Sequence, residues 1–306
     1  MEQEKTKGFN IVGTRRVWLT ISVVMVAAAI VAIAWFGWRQ GIDFTGGTLW
    51  QAQFESNEIT AAAVTDTLIG AEVPGVAVTR GGEGSFIIRL AEINEDKHQE
   101  LANIMRDKLG SFTELSFQSI GPTVGKDLRS KAIWAVVLVL FGISVFVAFA
   151  FRKVSQPVSS WKYGLVTLLT LAHDVIIPAG VVAVLGSKFA VEADTNFIVS
   201  LLVIAGFSVH DTIVVFDRIR ENLVAAAGRM PLPEIVNRSV NETMARSINT
   251  SMTLVFVLAA LLLVGPVTLK FFILTILIGT MVGTYSSIFV ASPLLVIWYE
   301  RGRRKV

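Results

Sequence analysis

The sequence predicts an α-helical integral membrane protein of six transmembrane helices carrying one extracytoplasmic α+β domain of ferredoxin-like order. Three observations predict it. Of 306 residues, 53% are hydrophobic and only 17% charged, with a mean hydropathy of +0.63, a balance foreign to ordinary soluble domains. Six apolar runs approach the roughly 20 residues needed to cross about 30 Å of hydrocarbon. After the first run the pattern changes to short alternating and amphipathic segments bounded by turn residues, as in a small folded domain.

Residues 1–16 are a basic N-terminus containing Lys5, Lys7, Arg15 and Arg16. The first span, 17–38, could also be read as a secretory signal, because Arg15 and Arg16 precede it and Ala32-Ile33-Ala34 resembles a cleavage site. It is longer than the usual apolar core of about 7–15 residues, and a permanent anchor suits the remaining topology better. Further spans read as 132–151, 164–185, 197–216, 246–264 and 271–297, with a basic tail at 298–306. Arg152, Lys153 and Lys162 join the second span to the third, Arg218, Arg220, Arg229 and Arg238 the fourth to the fifth, and Arg301, Arg303, Arg304 and Lys305 end the chain. The alternate short loops carry only Lys188 and Lys270. By the positive-inside rule both termini face the cytoplasm and residues 39–131 lie outside.

The outer stretch reads as strand 48–54, helix 58–69, a hairpin of strands 76–80 and 85–90 around Gly81-Gly82, helix 96–109 and strand 113–119. The order βαββαβ suits two helices covering one face of an antiparallel sheet. From Arg39 to Ser130 there are 13 Asp and Glu against 8 Lys and Arg, so this domain is acidic where the inner loops are basic. Either a solvated surface or a charged partner surface accounts for that. Residues 217–245 form a cytoplasmic connector in which Gly228, Pro231 and Pro233 break one helix, and Ile235, Val236, Val240 and Met244 give a second an apolar face.

Two carboxylates fall inside predicted spans: Asp174 halfway along the third and Asp211 in the fourth. A charge at the centre of a spanning helix costs about 2.5–3.5 kcal/mol on insertion scales. The fifth span offers a partner. Its purely apolar part, 254–264, is too short to cross, so the helix must extend back through Thr253, Ser251, Thr250, Asn249, Ser247 and Arg246, with Arg246, Thr250 and Thr253 on one side that should face protein and Asn249 beside them. A long arginine could reach the depth of Asp211. The pair is then either a static contact fixing helix packing or a proton relay in which Asp211 changes protonation while Arg246 stays charged. His173 and His210 each precede an Asp, and a proton path could use an imidazole, but neighbours on a helix point in different directions, so neither need touch its Asp and packing or hydrogen-bonding roles are favoured for both. Gly206, Gly279 and Gly283 are candidate sites of close helix approach.

Other chemistries lack their residues. There is no cysteine, so disulfides, thiolate metal sites and cysteine nucleophiles are excluded, and the third histidine, His98, sits apart in the outer domain, leaving no metal cluster. A net charge of +3 without a basic aromatic stripe argues against nucleic acid. Gly46-Gly47 and Gly81-Gly82 are not followed by a Lys-Ser or Lys-Thr pair, so no nucleotide loop is seen and an enzyme is not expected.

Three stretches together resemble the SecF family. They are Gly41-Ile42-Asp43-Phe44-Thr45-Gly46-Gly47 after the first span, Ile120-Gly121-Pro122-Thr123-Val124-Gly125 before the second, and Asp211-Thr212-Ile213-Val214-Val215-Phe216-Asp217-Arg218-Ile219-Arg220-Glu221-Asn222 in the fourth. Arg246-Ser247, Thr250-Ser251 and Ala172-His173-Asp174 fit as well. The resemblance implies half of an RND-type bundle in the bacterial cytoplasmic membrane, paired with SecD and assisting late preprotein export at the SecYEG channel with SecA. YajC and YidC are further implied partners. It also implies a proton or sodium motive force as the energy source and no cofactor. On it, Asp211 and Arg246 are the ion-relay positions and Asp174 matches a family motif of less defined role; Asp174, His210, Asn249 and Thr250 are the candidate supporting polar residues. The family commonly has Tyr and Asn where this chain has Phe207 and His210, so a role for His210 would be local. The rivals are a small-molecule RND exporter, normally a longer chain with two such halves, and a non-transporting assembly factor.

Overall fold

The computed structural model describes residues 8–56, 58–81, 84–152, 158–189 and 191–303. Lys5, Lys7, Gly82, Lys153, Arg304 and Lys305, invoked above, lie outside the described residues. The chain divides into two compact units, a helical one (residues 1–39, 135–191 and 196–306) and a sheet-bearing one (40–134 with 192–195).

The sheet unit holds α2 (Ile42–Thr45), β1 (Gly47–Phe54), α3 (Ala61–Ile69), β2 (Ala77–Arg80), β3 (Ser85–Leu90), α4 (Glu95–Leu109) and β4 (Phe112–Ile120). The strands order β2-β3-β1-β4 and every pairing is antiparallel, the ferredoxin-like arrangement expected. Each boundary has a local cause. Thr60 accepts the Ala63 N–H at 3.2 Å, so α3 starts later than the predicted 58, and Asn94 accepts the Lys97 N–H at 3.0 Å to open α4. Gly46, at φ 78°, makes the turn into β1 where a Cβ would lie 2.7 Å from the Pro122 Cα, so no other residue fits. Alternation sends Trp50, Ala52 and Phe54 of β1 and Phe86, Ile88 and Leu90 of β3 inward against Val64, Leu68, Leu101 and Met105 of the helices. Leu101 is fully buried, so Leu101→Ala is expected to destabilise this unit by about 2–5 kcal/mol, read from denaturant-dependent hydrogen exchange in its sheet.

His98, buried on α4, bridges Glu114 of β4 at 2.8 Å and Glu95 at 3.3 Å and stacks on Phe117. The Glu95 carboxyl is held below its ordinary range, first by the hydrogen bond from Gln99 Nε2 at 2.6 Å and then by His98. A depressed carboxylate stabilises above its unfolded pKa and loses that contribution as pH falls through the folded value. Exchange protection at the start of α4 should therefore weaken on acidification in the wild type and lose that dependence in Glu95→Gln.

Among the described residues six helical stretches are long and apolar enough to cross a membrane. They are α1 (Arg15–Phe36), α5 (Pro122–Ala150), α6 (Ser160–Phe189), α7 (Thr195–Ala226), α8 (Leu232–Val264), and a last span built from α9 (Lys270–Ser286), a π-helical turn (Ser287–Ala291) and α10 (Ser292–Arg303). Valines and isoleucines of α1 and α5 such as Val23, Ile30, Ile133 and Val137 are exposed, as suits surfaces meeting lipid, whereas α6 is buried along most of its length. Gly180 of α6 explains part of that, for a Cβ there would lie 2.6 Å from both Cα and Cβ of Ala29 on α1.

The connector differs from expectation. Residues 217–245 are not a separate amphipathic segment, because α7 runs on to Ala226 and α8 begins at Leu232 and continues without a break through Val264. Pro233 sits in the first turn of α8, where its missing N–H costs nothing. At 1.5 Å per residue these helices of 32 and 33 residues are roughly 50 Å long, well beyond the hydrocarbon thickness. The inward residues are those predicted: Val236 and Val240 join the core with Val215, Phe216 and Ile219 of α7, Met244 packs on it, and Ile235 is buried.

Candidate functional site

Asp174 is wholly buried on α6. Its Oδ1 lies 2.7 Å from His173 Nδ1, and its Oδ2 accepts hydrogen bonds from Ser208 Oγ of α7 and, at 2.6 Å, from Ser286 Oγ of α9. Pro178, one turn on, lacks the N–H that would bond the Asp174 carbonyl, loosening the helix at this point. Hydrogen bonds to a charged group contribute about 1.5–3 kcal/mol each, so three of them hold a carboxylate inside an apolar bundle. The sequence favours a packing or hydrogen-bonding role for His173, and the structure gives it a hydrogen bond to the adjacent Asp174, a contact that adjacency on a helix does not require.

Asp211 is buried on α7 and belongs to a second polar cluster. Ser251 Oγ of α8 donates to its Oδ2 at 3.1 Å, and Thr284 Oγ1 of α9 donates to Ser251 Oγ at 2.6 Å. His210 Nδ1 stands 3.7 Å from Asp211 Oδ1, with the ring largely exposed. Ser208 and Asp211 are one turn apart on α7, so that helix carries a member of each cluster. Gly279 and Gly283 of α9 face Ile204 and Ser208 of α7, where a Cβ would press on their side chains, as close approach requires; Gly206 has nothing within 4 Å.

The expected meeting of Arg246 with Asp211 is not present. Among the described residues no ion pair joins them, and Arg246 is exposed, lining a cleft of about 370 Å³ with Asp217, Arg218, Glu221 and Glu242. Helical phase is the reason. At about 100° per residue Arg246 lies roughly 140° around α8 from Ser251, the residue that does reach Asp211. Ser247, Ser251 and Leu258 form the buried face. Arg246, Asn249, Thr250 and Thr253, expected to face protein, instead form an exposed polar stripe on this chain.

The signature residues each have a mechanical task. Asp43 of α2 accepts the Thr195 N–H at 2.8 Å and the Gln118 side-chain amide at 3.3 Å, tying residues 192–195 into the sheet unit, where Arg89 and Glu192 also pair. Gly41 donates its N–H to the Ala193 carbonyl at 2.9 Å, and Gly47, at φ 122°, leads into β1. At the far end of α7, Arg218 pairs with Glu221 at 2.8 Å and with Glu242 of α8 at 2.6 Å. Asn222 donates to Glu242 at 2.8 Å, and Arg220 pairs with Asp217 at 3.2 Å.

Ser208, Thr284, Ser286 and Glu242 were missed from sequence, and Ser251 stood only among the polar residues of the fifth span with no tie to Asp211. Single serines and threonines are common in spanning helices and carry no pattern of their own. The usable signal was indirect: a buried carboxylate needs donors, and hydroxyls one or two turns apart on neighbouring spans can supply them.

Comparison with known proteins gives a consistent result. Residues 100–301 match the family model described as protein export membrane protein SecD/SecF, C-terminal. The chain is 41% identical over 307 residues to protein translocase subunit SecF of Thermobaculum terrenum, covering 95% of this chain and 94% of that one. To protein translocase subunit SecDF of Thermus thermophilus it is 35% identical over 301 residues, which is 96% of this chain and 39% of the relative. The crystal structure of SecDF from the same genus, described as a translocon-associated membrane protein, matches with a TM-score of 0.83 at 34% identity, spanning 98% of this chain and 40% of that one. This chain therefore corresponds to about two-fifths of SecDF.

Proposed function

The chain belongs to the SecD/SecF family of protein export membrane proteins, and from that premise we propose that it works as the SecF half of a two-part export motor. It pairs with a SecD-type partner in the bacterial cytoplasmic membrane, both termini inside. The pair uses the proton gradient, or sodium in its place, to assist late translocation of preproteins at the SecYEG channel, downstream of SecA and in company with YajC and YidC. Asp211 carries the exchanged ion, with Arg246 beside the path, Asn249, Thr250 and His210 around it, and Asp174 in support. No covalent chemistry is required: one charge moved through 100 mV releases about 2.3 kcal/mol, and a few such steps drive a conformational cycle.

The observation that carries this reading is the exposed stripe on α8. Arg246, Asn249, Thr250 and Thr253 would face lipid in an isolated chain, at a depth where polar groups are costly. A partner helix laid over the stripe would cover them and enclose a polar track one helix away from buried Asp211. It would also bring a countercharge of the other half toward Arg246.

Two measurements test it. The natural sequence has no cysteine, so Asn249→Cys gives a single thiol. It should crosslink to cysteines on a co-expressed SecD-type partner, while Val137→Cys on α5 should not. In vesicles holding the pair with SecYEG and SecA, an imposed proton or sodium gradient should raise completed translocation, and collapsing it should abolish the gain. No response to either gradient would refute an ion-driven role.

A further inference from the structure

The Asp174 cluster has a property that packing alone does not need. His173 is nearly fully buried, its Nδ1 is on the Asp174 carboxyl, and its Nε2 is buried without a hydrogen-bond partner. A ring kept merely for packing would leave a strong acceptor or donor unsatisfied at a cost of about 1–3 kcal/mol. We propose that His173 and Asp174 form a second proton-holding pair in the bundle, distinct from Asp211 and loaded through His173 Nε2. This rests on the ion-driven reading above and adds a site to it.

The geometry accommodates both states without moving a heavy atom. With the carboxylate charged, His173 Nδ1–H donates to Oδ1 while Ser208 and Ser286 donate to Oδ2. A hydronium ion arriving at Nε2 forms an N–H bond there and leaves as water. The Nδ1–H bond breaks and an O–H bond forms on Oδ1, so the imidazole emerges as the neutral Nε2–H tautomer. The same 2.7 Å contact then carries O–H donating to Nδ1, and both serine bonds to Oδ2 persist. The pair has taken up one proton, with no oxidant, reductant or metal involved.

The surroundings leave this pair as the titrating unit at its level. From α9, Tyr285 stacks on His173 with centroids 6.4 Å apart, its hydroxyl donating to the Trp18 carbonyl of α1 at 2.9 Å and lying 3.2 Å from Ser22. From α7 come Ser208 and, one turn further, Asp211 with His210. Residues 17–36 of α1 contain no charged side chain. Asp211 lies one turn along α7 from Ser208, the residue bonded to Asp174, so loading one carboxyl should alter the other's readiness to accept a proton.

The test is infrared difference spectroscopy during acidification of the chain reconstituted with its SecD-type partner, using ring-labelled histidine. The expected wild-type result is a protonated-carboxyl band that Asp174→Asn loses and Asp211→Asn keeps, appearing together with a shift of imidazole signal from the Nδ1–H to the Nε2–H tautomer. His173→Gln, which keeps a donor to Asp174 but no relay, should assemble normally and lose the band or shift its midpoint. If Asp174→Asn fails to assemble, the His173→Gln spectrum decides. A band unchanged in His173→Gln, one absent from the wild type, or one displaced by sodium instead of protons overturns the inference. The Asp211 reading fails separately, if Asp211→Asn retains gradient-driven export while the Asp174 band titrates as described.

Discussion

Asp211→Asn is expected to leave the chain folded and paired but unable to draw on an ion gradient, with export falling to the level seen when the gradient is collapsed. The amide is nearly isosteric with the carboxyl, and its oxygen can still accept the Ser251 hydroxyl at the 3.1 Å observed, so the Ser251–Thr284 cluster on α8 and α9 persists. What the substitution removes is the exchangeable proton and the charge. If Asp211 only fixed packing, the loss would appear as a lower melting temperature with gradient stimulation intact. If it carries the ion, stability changes little and stimulation disappears. Export assayed with and without an imposed gradient, beside thermal stability of the purified pair, separates the two.

Gly180→Leu should have the largest structural effect. Helices α1 and α6 meet so closely that even one added carbon would sit 2.6 Å from Ala29, and the nearest atoms include backbone, which cannot rotate away. Overpacking typically costs about 1–3 kcal/mol, and more where backbone must shift. Because Trp38 also donates to the Ala179 carbonyl at 3.0 Å, pushing α1 away breaks a hydrogen bond in addition to the packing. The expected outcome is a sharply reduced yield of monodisperse protein in detergent. Gly142→Leu on α5, whose Cβ position is open, should behave as wild type.

Much of this architecture was legible in the residues. Spans follow from apolar length, because hydrocarbon imposes a minimum, and the strands from alternation, because one sheet face is covered by helices. In residues 217–245 the break at Gly228 and the prolines and the second helix were legible, but not that both helices are continuous with the spans, because proline in a first turn opens a helix and α8 then has no reason to stop. That α8 runs back through Arg246 was legible but the azimuth of that side chain was not. The five-residue step to Ser251 decides which side chain meets Asp211, and only the packed bundle fixes which face of α8 turns inward. For His173 a hydrogen-bonding role was legible but its partner was not, because directional rules for adjacent residues describe Cβ vectors and leave the ring free to reach its neighbour.

The π-helical turn in the last span sets a constraint on chain length. A π turn is an α-helix with one residue inserted. That surplus residue adjusts the phase between Ser286, which reaches Asp174, and Leu295 and Val296, which are buried farther along. Deleting one residue from Ser287–Ala291 would restore a regular helix and turn everything beyond it by about 100°. Leu295 and Val296 would swing toward the outside, and Glu300 would leave Arg15, its partner at 2.8 Å. This short stretch should thus tolerate substitution far better than any change in its count of residues.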